Sequence, residues 1–166
     1  MKNPLVAATL LLLTACSSDS GGGASGGVTP PGGQVQATQA DEARPALVDL
    51  VNRHRVSLGL LPLVEAQALE REIQDHTDDM ADGRSSFGHT GMSERCAHAR
   101  SELGGGNACG EIVARGQIDV QAAFTAWLGS SGHKARMEDP RYNRAGVGIA
   151  IDGDGRPYWG MLFLQR

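Results

Sequence analysis

Downstream of Asp41, apolar residues recur with two different periods that divide the chain into helices followed by strands. Leu47, Leu50, Val51 and Val56 form a helical stripe across Asp41 to Leu58, with Pro45 suited to a first turn and Gly59 to an end. Leu61-Pro62-Leu63 breaks the pattern. The helical period resumes from Glu65 to Asp82 through Leu69, Ile73, His76 and Met80, and stops at Gly83. Ala122, Ala123, Phe124 and Trp127 predict a third helix over Val120 to Leu128. The period then shortens to two. Val147, Ile149 and Ile151 alternate within Ala145 to Ile151, and Tyr158 to Leu164 reads as a partner strand. Glu111 to Ala114 fits a strand or a helix equally. Helices followed by an antiparallel hairpin predict an α+β layered domain.

Upstream the composition changes. Leu5 to Leu13 is an apolar run behind Lys2, too short to stay in a bilayer. It leads into Leu13-Thr14-Ala15-Cys16, which resembles the bacterial lipoprotein signal. That resemblance implies cleavage after residue 15, lipidation of Cys16, and an anchor on the extracytoplasmic side of the cell envelope. Ser17, in place of Asp, implies the outer membrane if the host is Gram-negative. Ser17 to Gln39 is mostly Ser, Gly, Pro, Thr and Gln, a composition expected to stay flexible. As a coil it spans roughly 25–30 Å. The expected organisation is signal at 1–15, lipidated Cys16 and tether to residue 40, and one domain at 41–166.

The net charge of −4, without a basic patch or interleaved aromatics, argues against nucleic acid as a partner. Cys96 and Cys109 remain after Cys16 is assigned to lipid. In an exported domain they are expected to pair across Leu103-Gly104-Gly105-Gly106, two free thiols being the alternative. The bridge would close a loop of about 14 residues and stabilise by roughly 3 kcal/mol in the chain-entropy model. Asp152-Gly153-Asp154-Gly155 reads as a hairpin turn, because a calcium loop of the EF-hand kind needs ligands over about twelve residues and a closing Glu.

Candidate chemistry concentrates in Phe87-Gly88-His89-Thr90, Cys109-Gly110-Glu111-Ile112 and Trp127-Leu128-Gly129-Ser130-Ser131-Gly132-His133. His89, Glu111 and His133 match the two-imidazole, one-carboxylate set of several catalytic zinc sites, with a water position left open. A hydrogen-bonded His–Glu–His cluster that only shapes a cleft is the competing reading. No His-Glu-x-x-His helix is present, and no nucleophile elbow surrounds Ser130 and Ser131. His54 is expected to be partly exposed and His76 to be a satisfied core histidine. His98, inside the expected disulfide loop, is placed where it could fold over the cleft.

In this order and spacing the segments resemble the CAP superfamily (cysteine-rich secretory, antigen 5 and pathogenesis-related 1 proteins; the SCP domain). The resemblance rests on Val51-Asn52-Arg53-His54-Arg55 with Gly59-Leu60-Leu61-Pro62-Leu63, Asp79-Met80-Ala81, the three segments above, and Ala145-Gly146-Val147-Gly148-Ile149-Ala150. It implies a three-layer α-β-α sandwich with a central antiparallel sheet and a wide cleft. It also implies that His89, Glu111 and His133 fill three of four cleft positions, with Ser130 where the family's second glutamate stands. The Asn that usually follows the first glutamate is absent. The function expected is a binding module whose cleft holds zinc or another divalent metal, or a lipid, peptide or protein ligand. The alternative is a metal-dependent, peptidase-like hydrolase at the envelope, with His89, Glu111 and His133 as its catalytic candidates.

Overall fold

The structure, a computed structural model, describes residues 32–166. The signal at 1–15, Cys16 and the tether up to residue 31 lie outside the described residues. The elements run α1 (Gly32–Ser57), β1 (Val64–Glu65), α2 (Gln67–Ala81), α3 (Met92–Leu103), β2 (Cys109–Arg115), α4 (Val120–Gly129), α5 (Ser131–Met137), β3 (Arg144–Ile151) and β4 (Pro157–Leu164).

Four strands form one sheet in the order β1-β3-β4-β2. The long strands β2, β4 and β3 are antiparallel, and the two-residue β1 adds a parallel edge beside β3. Strand alternation sends the two faces to different helical layers. Val147 and Ile149 of β3, Met161 and Phe163 of β4 and Ile112 of β2 pack with Leu47, Val51, Phe124, Trp127 and Met137 of α1, α4 and α5. On the other face Leu162 and Leu164 pack with Leu69 and Ile73 of α2 and Cys96 and Ala99 of α3. The result is the expected α-β-α sandwich, and β2 is left as an edge strand between the two helical layers.

The second layer sits unusually close to the sheet. A Cβ at Gly148 would lie 2.5 Å from the Ile73 carbonyl oxygen, and one at Gly146 only 2.2 Å from the Glu70 nitrogen. Both neighbours are backbone of α2, which cannot rotate aside. Gly148→Ala is therefore expected to lift α2 from β3 at a cost of about 3 kcal/mol, the upper end for overpacking. Urea unfolding would show it as a lower midpoint with an unchanged slope.

Two expectations change. The first helix begins at Gly32, so helix reaches into residues expected to be tether, and Pro45 lies inside it. Gln, Ala and Glu between Gln34 and Arg44 propagate a helix well once the packed part nucleates it, and Ala40 and Ala43 pack against the core. Pro45 and Asp41 are both exposed, so the carbonyl that Pro45 leaves without a donor can meet solvent. Two short helices, α3 and α5, are additions to the expected set. Glu111 to Ala114 resolves as strand. Asp152 accepts N–H bonds from Asp154 and Arg156, which makes the acidic segment a hairpin turn. No helix of the described residues is long and apolar enough to cross a membrane.

Candidate functional site

The three sequence segments meet at the exposed edge of β2. The loop between α2 and α3 carries Phe87 and His89, β2 carries Glu111 and Arg115, and the α4–α5 junction carries Ser130 and His133. A cleft of about 330 Å³ runs along this edge, lined by Phe87, Arg115, Gln117, Trp127, Ser130, His133 and small apolar side chains.

Glu111 is the centre of a buried network. Its side chain is 0% exposed, His89 Nδ1 lies 2.9 Å from Oε1, and Arg95 Nε donates to Oε2 at 2.9 Å. Arg95 Nη2 stands 2.7 Å from the same oxygen without a well-directed N–H, so that contact is an ion pair rather than a second hydrogen bond. His76 Nε2 approaches Oε1 to 3.9 Å but makes its hydrogen bond with the Gly88 carbonyl, at 2.8 Å. Arg95 Nη1 donates to the Thr90 carbonyl at 2.7 Å. The His89 loop is thus held at three successive residues: Gly88 by His76, His89 by Glu111 and Thr90 by Arg95.

The local sequence explains how this network closes. Gly88 adopts φ 147°, a conformation L side chains rarely take, and so turns its carbonyl toward His76. At Gly110 the Tyr142 hydroxyl would lie 2.4 Å from a Cβ, so only glycine admits this approach beside Glu111. The expected Cys96–Cys109 disulfide is present, with Cα atoms 6.1 Å apart. It ties α3 to β2 one residue from Arg95 and two from Glu111, and so holds the ion pair together. Ser130 ends α4 through its N–H to the Trp127 carbonyl and starts α5 through its carbonyl, while its side chain makes no cap bond and lines the cleft.

The sequence trio is brought together unevenly. His133 lines the cleft and is held below the ordinary histidine pKa by burial first and by positive charge on the nearby His89 second. Glu111 stands behind His89, with Arg95 on its other oxygen. Among the described residues no three His, Cys, Asp or Glu side chains form a metal-binding group. His98, expected to be able to fold over the cleft, instead lies on the exposed side of α3, 3.5 Å from Glu72. It follows buried Cys96 by two residues, which puts it on the opposite helix face. His54 is partly exposed as expected and meets Glu138 at 2.8 Å. His76 is a satisfied core histidine as expected, but it also braces the site. Arg95 carried no sequence signal, because α3 shows no apolar stripe. A separate apolar cavity of about 420 Å³, lined by Ala43, Ile118, Val120, Ile151 and Trp159 among others, contains none of these residues.

The charge effect on His133 can be measured. His89→Ala should raise the His133 pKa by removing the neighbouring charge, yet leave it below the ordinary value because burial remains. An imidazole Cε1–H NMR titration reads both parts; an unmoved midpoint would separate the two rings. The unfolded chain takes up this proton first, so acidification through the histidine range costs the folded state stability.

A sequence model of the cysteine-rich secretory protein family, CAP, matches residues 48–163. The chain belongs to the CAP family. Two relatives come from Bacillus subtilis. The membrane protein YlbC is 29% identical over 124 residues, covering 72% of this chain and 34% of YlbC. YkwD is 28% identical over 122 residues, covering 72% of this chain and 46% of YkwD. The chain therefore spans less than half the length of either. Among solved structures, an extracellular SCP-domain protein of Bacillus anthracis superposes with TM-score 0.72 at 22% identity, covering 82% of this CAP chain and 45% of that one. An outer surface protein of Borrelia burgdorferi gives 0.63 at 24% identity, covering 74% and 91%. NaASP2, solved with Zn²⁺, gives 0.58 at 13% identity, covering 81% and 82%. These likenesses establish the fold.

Proposed function

We propose that this CAP protein is a lipid-anchored binding module of the cell envelope, and that its β2-edge cleft holds a divalent cation such as zinc between His89 and His133. The observation that carries the reading is the bond between Glu111 and His89 Nδ1. A carboxylate paired with Arg95 is an acceptor, so Nδ1 carries the proton and Nε2 keeps its lone pair. This is the carboxylate–histidine support common behind metal-bound imidazoles. The donor set fits a cation held by imidazoles and completed by water or ligand. It does not fit Glu111 as a direct ligand, because a cation there would face the Arg95 guanidinium across the same carboxylate. Ser130, whose hydroxyl is free of capping, is available to the remaining positions. When bound, the cation would supply a Lewis-acidic attachment point for a ligand in the cleft. The Zn²⁺ in the NaASP2 structure supports the choice of metal, and the outer-surface, extracellular and membrane relatives support the location.

Zinc titration of the full chain by calorimetry tests the site. His89→Ala and His133→Ala should each abolish or strongly weaken binding, and unchanged affinity in both would remove it. Radiolabelled palmitate incorporation that Cys16→Ser abolishes would establish the anchor.

A further inference from the structure

We propose that the β2-edge cleft recognises the free C-terminal carboxylate of a peptide, with Arg115 as the residue that binds the anion. This deepens the reading of the cleft as the ligand site and does not depend on the cation.

Arg115 ends β2 with its guanidinium 5.0 Å from the Phe87 ring centroid and 5.9 Å from that of Tyr158. Contact with the two rings restrains the guanidinium, which carries N–H groups that suit a planar, two-oxygen partner. Elsewhere in this acidic chain Arg44, Arg53, Arg71, Arg84 and Arg141 each lie against a carboxylate. Among the described residues Arg115 has rings for neighbours, and the cleft lining contains no carboxylate. Glu111 is buried and already shared by Arg95 and His89.

Two further atoms point to the same ligand. Trp127 lines the cleft and is fully buried, yet its indole N–H has no partner among the described residues. The Gln117 side-chain oxygen, also on the lining, is buried and unpartnered. Buried groups of this kind are rarely left unmatched. The other indole, Trp159, shows the contrast, since it donates to the Gln117 carbonyl at 2.9 Å. The lining therefore presents donors on Arg115 and Ser130, with the unpartnered Trp127 N–H and Gln117 oxygen just beneath its surface. A carboxylate flanked by an amide N–H complements that set, and this is the chemistry of the last residue of a peptide. A volume of about 330 Å³ is small for a ligand pocket and suits a chain end rather than a long segment.

The probes are N-acetyl-alanyl-alanine as the free acid, its C-terminal amide, and acetate, each titrated into the full chain and followed by ¹⁵N–¹H NMR of the indole N–H groups. The acid should shift the Trp127 indole and leave that of Trp159 in place. The amide and Arg115→Gln should each weaken binding by about tenfold or more, as expected for loss of a charge-assisted pair. Arg115→Gln should not weaken zinc binding, because it removes a positive charge from the cleft. Equal binding of acid and amide, equal binding of acetate, or no Trp127 shift at about 10 mM acid would each overturn the proposal. Loss of zinc binding in the imidazole variants without loss of acid–amide discrimination separates the two sites. If zinc binds to neither the parent nor the variants, the cation reading falls and this one stands on its own titration.

Discussion

Replacing Arg55 with Met should cost this domain a large part of its stability. Arg55 is fully buried, and its guanidinium is shared among four backbone carbonyls. Nε donates to Leu61 at 3.0 Å, Nη1 to Met137 at 2.5 Å and Asp139 at 3.1 Å, and Nη2 to Tyr142 at 3.0 Å. These acceptors belong to the α1–β1 loop, the end of α5 and the segment leading into β3. None of those segments has a regular partner of its own there, so one side chain replaces the ladder that each lacks. Burial pulls the Arg55 pKa below its usual value, and the nearby Asp139 carboxylate opposes that pull. Methionine fills much of the volume but takes the donor from the Leu61, Met137 and Tyr142 carbonyls, while that of Asp139 keeps the Tyr142 N–H. Each buried orphan costs about 1–3 kcal/mol, and some will recover a bond by relaxing. A loss of roughly 3–5 kcal/mol follows, a large fraction of a typical domain stability. The melting temperature should drop by about 10–20 °C. A fall of only a degree or two would mean that the carbonyls find other donors.

The elements that sequence reveals are those whose residue types are periodic. The stripe Leu69, Ile73, His76, Met80 reports one-sided packing, the alternation in β3 separates large residues on one face from the glycines under α2 on the other, and both lie where the periods place them. The helix α3 has only Cys96 and Ala99 buried, so no stripe exists to be read. A disulfide and the Arg95–Glu111 pair hold it instead. In α5 only Met137 is buried, and the Arg55 bond to the Met137 carbonyl secures its end. The same distinction governs the site. His89, Glu111 and His133 are legible because glycines and a tryptophan mark their segments. Their division of labour is not, because it depends on Arg95 reaching Glu111 from an unpatterned helix. Periodicity identifies His76 as a core residue; only the returning loop makes it a brace for Gly88.

Glu111→Gln should leave the domain folded and reverse the proton on His89. In the parent chain Oε1 meets His89 Nδ1 and Oε2 meets Arg95, so both contacts require acceptors on residue 111. An amide of the same shape has one oxygen and one NH₂. Arg95 is tied to β2 through the neighbouring disulfide and can only donate, so it keeps the oxygen. The NH₂ then faces His89, whose Nδ1 must become the acceptor, and the proton moves to Nε2. The nitrogen proposed to meet a cation thereby loses its lone pair. Long-range ¹⁵N–¹H NMR of the imidazole would show Nε2 change from unprotonated to protonated, whether or not a metal is supplied. Zinc affinity should fall by about 10–100-fold, the usual effect of removing such support. Glu111→Ala is the harsher exchange. It leaves the largely buried Arg95 guanidinium without a counter-charge, at roughly 3–5 kcal/mol. The pair of variants separates two roles of one carboxylate. If Glu111→Gln kept Nε2 unprotonated, Glu111 would hold the loop without setting the chemistry of His89.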